Sequence, residues 1–302
     1  MPSESGVKIA ARDSWMYLAG LAFLGLAKAK HVLQGYSSPK TFSLAETDRC
    51  IDYDLSVVDS WLSYLAAYTG TSGTLPGKTV LELGPGSDLG VGVYLLAKGA
   101  AAYNACDVHD LIHRAPPAFY SALLDRIAGL DGAVDRAYLQ SQIEGARGGS
   151  ARLRAVIRSD FDLVAAFGAG SIDLVFSQAA FEHFDDVPRT IGQLSTVCKQ
   201  GAVIVAEIDL KTHSRWIRDK DPNNIYRYPR PIYRAFHFRG SPNRVRPYQY
   251  RELFERHGWT DVSITPIEHR AEAQSKTGLS RPFMDPINEM DSLSIVLCAR
   301  KS

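Results

Sequence analysis

Two places in the chain carry the residue types and spacings that could do chemistry. The first is Val80 to Gly92, VLELGPGSDLGVG, where an apolar run leads into Glu82 and then into Gly84 and Gly86. Two glycines lack the β-carbons that would keep a ligand off the backbone, and the helix that follows presents free N–H groups at its start. Such a turn holds a cofactor at the carboxyl end of a strand, with Asp88 able to cap the helix. The dinucleotide pattern G-x-G-x-x-G is not met, because Gly84, Gly86 and Gly90 are spaced one residue too wide. A carboxylate two residues before the first glycine suits a cationic ligand better than a pyrophosphate. The second place is a pair of histidines: His183 in FEHFDD, and His213 in EIDLKTH, which has Asp209 four residues before it and Glu207 before that. Imidazoles titrate near neutrality, so both can serve as general bases. Asp209 with His213 could hold Mg²⁺, but two ligands do not establish a metal and none is assigned.

These groups need a rigid frame, and the pattern from residue 78 onward supplies one. Short β-rich runs alternate with helical stretches, as in a parallel sheet with crossover helices. Seven runs read as strands: Thr79–Leu83, Ala102–Cys106, Ala155–Arg158, Ile172–Ser177, Ala202–Ile208, Val262–Pro266 and Ser292–Ala299. Helices read over Leu89–Lys98, Pro117–Ala128, Pro188–Lys199 and Pro247–His257, with prolines in first turns and Gly99, Gly201 and Gly258 past the ends. The glycine turn therefore follows the first strand, His183 the fourth and His213 the fifth. Residues 1–75 read as a helical N-terminal region, Gly70–Gly77 (GTSGTLPG) as a linker, and 76–302 as the main domain.

From Trp15 to Ala27 the chain has no charge, yet this run is shorter than the ~20 apolar residues of a bilayer span. A helix over about 14–30 is expected, packed on the main domain or on a second subunit in a homo-oligomer, or lying on a membrane surface.

The 34 Lys+Arg and 33 Asp+Glu of this 302-residue chain leave a formal charge of +1, so a uniformly basic DNA binder is excluded. Hydrophobic residues at 45% and charged residues at 22% exclude disordered and fibrous classes. Cys50, Cys106, Cys198 and Cys298 stand far apart with no C-x-x-C, which fits a reducing, cytoplasmic compartment and argues against a zinc site or a disulfide framework.

With its acid-x-Gly-x-Gly turn, the chain resembles the class I S-adenosylmethionine-dependent methyltransferases over residues 78–210. Asp88 stands where many members have a third glycine. The resemblance implies a three-layer Rossmann-like α/β fold with a seven-stranded sheet, mostly parallel with the last strand antiparallel. It also implies S-adenosylmethionine as cofactor, held by Glu82, Gly84 and Gly86. Asp107, at the end of the second strand, would accept both ribose hydroxyls. Asp160 after the third strand would contact the adenine amino group, with Asp162 as its competitor, and Ser177 and Gln178 after the fourth would flank the methionine end and adenine. The helix and turn over Asn243–Trp259 match a further family feature.

On the acceptor side, Ser177-Gln178-Ala179-Ala180 replaces the Asn/Asp-Pro-Pro-aromatic motif of members that methylate base amines or glutamine. His183 resembles the family's common Leu-Glu-His, and Asp209 with His213 resembles an Asp-Leu-x-x-His arrangement in members linked to carbohydrate methylation. A hydroxyl acceptor has a proton to lose, which calls for a base or a metal. Between Lys211 and Arg256 twelve basic residues face four acidic ones, a local charge of +8 that leaves −7 elsewhere, with aromatics interleaved and prolines preventing one helix. An inserted lid over 211–246 is expected. It is either an arginine–aromatic surface for a phosphate or carboxylate, or a salt-bridged cover on the acidic body. The expected activity is O-methylation of a sugar or another small anionic or lipid-linked acceptor. Natural-product or lipid methylation and a non-catalytic binding protein are the alternatives. RNA is disfavoured, since no separate RNA-binding module is visible.

Overall fold

Successive side chains of a strand point to opposite faces, and here both faces carry apolar residues. In β1 (Thr79–Leu83), Val80 enters one hydrophobic cluster while Leu81 and Leu83 enter another. A sheet of such strands must be covered on both faces. The computed structural model describes residues 4–35, 44–70, 74–110, 115–148, 152–271 and 277–302. Its other strands are β2 (Ala102–Asp107), β3 (Leu153–Ile157), β4 (Ile172–Gln178), β5 (Cys198–Asp209), β6 (Trp259–His269) and β7 (Ser292–Lys301). They form one seven-stranded sheet in the order β3-β2-β1-β4-β5-β7-β6. β7 runs antiparallel to β5 and β6, and the remaining pairs are parallel. The strand order reverses between β1 and β4, which opens a crevice at their carboxyl ends.

Ahead of the sheet lie α1 (Glu4–Gln34) and α2 (Thr47–Thr69). α2 joins α3 (Gly90–Ala97), α4 (Pro117–Leu130) and α5 (Arg136–Gly148) over one face, where Trp61 stacks on Phe176 of β4 at 4.8 Å. The short α6 (Leu163–Phe167) and α7 (Val187–Val197) cover the other face. The segment after β5 is irregular, with α8 (Arg215–Arg218), a 3-10 turn (Asn224–Arg227) and α9 (Arg230–Phe236), before α10 (Pro247–Arg256) returns to that second face.

Five of the seven expected strands start at the residue where they are found or within two of it; β5 and β6 begin earlier, at Cys198 and Trp259. In the expected linker, residues 71–73 lie outside the described residues. α5 has no counterpart in the expected elements, because its sequence is polar and only Leu139 and Ile143 are buried. α1 is longer than the expected 14–30, and its stretch Arg12–Leu33 is long and apolar enough to cross a membrane by length and composition alone. The charged residues flanking the Trp15–Ala27 run continue the helix instead of ending it.

One side of α1 docks on the segment after β5. The Tyr228 hydroxyl donates to the Tyr17 carbonyl at 2.9 Å, the Asn224 side chain to Met16 at 2.9 Å, and the Lys28 ammonium to Ala235 at 2.6 Å. Gly20 is buried there, and a β-carbon on it would fall 2.2 Å from the Tyr228 hydroxyl. The opposite side leaves Trp15, Leu18 and Leu26 more than 60% exposed.

Candidate functional site

The crevice at the strand ends widens into a cavity of about 870 Å³. Glu82, Gly84, Gly86, Asp107, Asp160 and Gln178 all line it, so six of the seven expected cofactor contacts come together. Gly84 and Gly86 have φ of +72° and +80°, a region that disfavours side chains, and a β-carbon at Gly84 would also lie 2.8 Å from Ala180 Cβ. Asp88 accepts from the Gly90 amide at 2.8 Å and so satisfies a free N–H at the start of α3, although Leu89 occupies the N-cap position.

The seventh expected contact does not reach the cavity. Ser177 is fully buried in β4 with its hydroxyl 3.4 Å from the Leu83 carbonyl, a residue of the sheet rather than of the wall. Its neighbour Gln178 does reach it, and its Oε1 accepts from the Trp61 indole at 3.1 Å.

Glu82 is buried and accepts from the Tyr103 hydroxyl. Burial raises its pKa to about 8, against the opposing hydrogen bond from Tyr103, so it is mostly protonated near neutrality. Burial also raises Asp88, and raises Asp54, which α2 brings beside it. Asp54 Oδ2 is buried without a hydrogen-bond partner. Asp107 is half-buried, accepts from the His109 amide at 2.9 Å and is raised by burial. Asp160 stands at the exposed rim, held by both Arg158 nitrogens at 2.9 and 2.8 Å, and this pairing pulls it to about 2. Asp162 caps α6 by accepting from Ala165 and does not line the cavity.

Cys50, Tyr53 and Asp54 of α2 and His31 of α1 also line the cavity, and sequence reasoning missed them. A signal for Asp54 was present. Ile51, Asp54, Leu55, Val58, Trp61 and Leu65 form one helical stripe, and a lone carboxylate on an apolar stripe calls for a reason.

His183 also lines the cavity, and its Nδ1 lies 2.6 Å from the Gly240 carbonyl. His213 packs edge-on against it, with ring centroids 4.7 Å apart. Burial lowers both imidazoles, His213 to about 4, so both are neutral at pH 7. Glu182 is buried beside them, with its Oε1 3.9 Å from His213 Nε2. The expected partner Asp209 makes its hydrogen bonds elsewhere. Arg218 donates to one of its oxygens and the Lys211 amide to the other at 3.0 Å.

Of the two readings expected for the segment after β5, the arginine pairing favours the salt-bridged cover over the anion-seeking surface. Arg246 is fully buried, donating to the carbonyls of Asn288, Glu289 and Ser292 at 2.8, 2.7 and 3.1 Å. Arg227 pairs with Asp221 at 2.7 Å and with Asp13 of α1 at 3.1 Å, and Arg244 lies over the Tyr233 ring while donating to two carbonyls. These arginines hold the segment together. The arginines that do line the cavity are Arg49, Arg189 and Arg239, two of them from outside that segment.

A family model for a methyltransferase domain matches residues 53–264, from the cavity-lining turn of α2 to β6. The chain belongs to that family. It is a class I methyltransferase, and S-adenosylmethionine is its methyl donor. No curated protein matches this methyltransferase in sequence. Among solved structures it is similar to a methyltransferase from Archaeoglobus fulgidus, described as S-adenosylmethionine-dependent, at 15% identity and TM-score 0.43, covering 81% of this chain and 94% of that one. It is also similar to the CurJ carbon methyltransferase, at 14% identity and TM-score 0.41 over 76% of this chain, and spans about half (49%) of that longer chain. Phosphoethanolamine N-methyltransferase 2 from Haemonchus contortus is similar at 12% identity and TM-score 0.44, covering 83% of this chain and 52% of that one. Likenesses this distant transfer no acceptor to this methyltransferase.

Proposed function

We propose that this methyltransferase moves the methyl group of S-adenosylmethionine to a hydroxyl of a small acceptor carrying an anionic group, with a sugar as the preferred class. In this reading Glu82, Gly84, Gly86 and Gln178 hold the methionine end, Asp107 the ribose and Asp160 the adenine side. Residues 76–302 form the donor-binding domain, which 1–75 and the lid over 211–246 cover.

The observation that carries the hydroxyl reading is the neutral imidazole of His183 on the cavity wall, with His213 packed against it outside the lining. Transfer from a sulfonium is an in-line displacement that needs mainly positioning and exclusion of water, whereas a hydroxyl also has to lose its proton. His183 Nδ1 faces a carbonyl, which only accepts, so that nitrogen carries the hydrogen and Nε2 presents a lone pair. Arg189 and Arg239 supply positive charge to an acceptor phosphate or carboxylate at the cavity wall.

Replacing His183 with Ala should lower kcat by about 10²–10⁴-fold with donor affinity retained. Unchanged kcat would remove the imidazole pair from the chemistry. A second reading, a lipid-linked acceptor, is favoured by the exposed Trp15, Leu18 and Leu26 on α1. Flotation with anionic liposomes tests it, and protein left at the bottom of the gradient would reject it.

A further inference from the structure

Glu182, His183 and His213 each offer one ligand atom, and those atoms lie within 4.8 Å of one another. Neither Glu182 oxygen has a hydrogen-bond partner, and neither does His213 Nδ1, although all three atoms are buried. The Glu182 side chain is only 3% exposed, and the 3.9 Å to His213 Nε2 is too long for a hydrogen bond. The amides of Glu182 and Asp209 approach this carboxyl without reaching hydrogen-bond geometry, so a buried carboxyl is left short of donors, which is costly for an anion. Such an arrangement is explained when a third body joins the ligands.

The surroundings fit a cation. The Gly240 carbonyl fixes the hydrogen of His183 on Nδ1 and leaves Nε2 free to ligate, the usual second contact of a metal-bound histidine. Of the nearby charges, Asp209 is neutralised by Arg218, and Asp185 faces His237 at 3.8 Å. Glu182 is then the one uncompensated carboxylate of the cluster among the described residues. Bonds of about 2.1 Å to a tetrahedral ion place ligand atoms about 3.4 Å apart, a modest contraction from the spread seen.

We propose that Glu182, His183 and His213 bind one divalent cation of the imidazole-favouring kind, Zn²⁺ before Mg²⁺, beside the acceptor end of the cavity. Two imidazoles and one carboxylate rank zinc and cobalt well above magnesium, which prefers oxygen ligands. The ligand set differs from the Asp209–His213 pair that the sequence suggested. The inference rests on the O-methylation reading and changes one point in it. The acceptor hydroxyl takes the open position on the cation, which lowers its pKa, and its proton passes to solvent water rather than to His183. The oxygen then forms its bond to the donor methyl group as the sulfur–methyl bond breaks, and sulfur leaves as the neutral thioether.

The test is isothermal titration of EDTA-stripped, full-length protein with Zn²⁺, Co²⁺ and Mg²⁺, together with the visible spectrum of the Co²⁺ form. One Zn²⁺ or Co²⁺ per chain is expected, with Mg²⁺ at least tenfold weaker. His213→Gln and Glu182→Gln should each weaken Zn²⁺ by at least tenfold and change the Co²⁺ bands. Because Glu182 is deeply buried, His213→Gln, whose side chain is 32% exposed, is the variant that must fold, and its circular dichroism is the control. No Zn²⁺ binding, or binding unaffected by His213→Gln, overturns the proposal. Hydroxyl methylation that persists after EDTA treatment, with no cation bound, overturns it while leaving the O-methylation reading intact. A bound cation with methyl transfer to nitrogen or carbon alone would instead fail the O-methylation reading and leave the cation site standing.

Discussion

In the proposed reading, Glu82 ties donor binding to the acidity of its own pocket. Its folded pKa of about 8 lies above the ~4.5 of an exposed glutamate, so the folded state keeps a proton that the unfolded chain gives up. Its contribution to stability is therefore whole below about pH 4.5 and is lost as pH rises through 8; Asp54 and Asp88, shifted in the same direction, add to the trend. With the donor placed as proposed, its ammonium would reverse the preference by stabilising the carboxylates. Thermal unfolding should show the free protein losing stability from pH 5 to 9 while the increment conferred by S-adenosylmethionine grows, with proton release on binding. Asp107→Ala should weaken the donor by about 10–100-fold, the worth of a charged hydrogen bond, in isothermal titration. At this scale the turn and its acids were legible because Glu82, Gly84 and Gly86 are contiguous. Ser177 lies off the cavity because it is still inside β4, where both faces are covered, whereas Gln178 ends the strand. The arginines of 211–246 left two readings open because composition counts charge and not burial, and Arg246 is at 0% exposure.

α1 is held to the segment after β5 through Gly20, where Asn224 and Tyr228 leave no room for a β-carbon. Gly20→Val should destabilise the protein by about 1–3 kcal/mol and expose 211–246 to protease, read by limited proteolysis. The sheet was legible at this scale because its strands are short apolar runs bounded by glycine and proline. α5 was not, since its helical pattern buries only two residues, and the docking side of α1 was not, since its partners lie some 200 residues away in sequence.

For the whole molecule, near-neutral net charge is a cancellation between a basic segment and an acidic remainder. The segment's arginines nonetheless point into carbonyls and buried carboxylates, which salt screens weakly. Raising NaCl from about 0.05 to 0.5 M should therefore leave hydrogen exchange of 211–246 nearly unchanged while weakening an anionic acceptor held by Arg189 and Arg239. An equal rise in exchange across the segment would show that it is pinned by surface charge. The most direct test of the account is mass spectrometry of a small-molecule extract incubated with the protein and methyl-labelled S-adenosylmethionine. The account predicts labelled products bearing the methyl on oxygen, formed by wild type and strongly reduced in Asp107→Ala and His183→Ala. Label confined to nitrogen or carbon, or no label in any fraction, would contradict it.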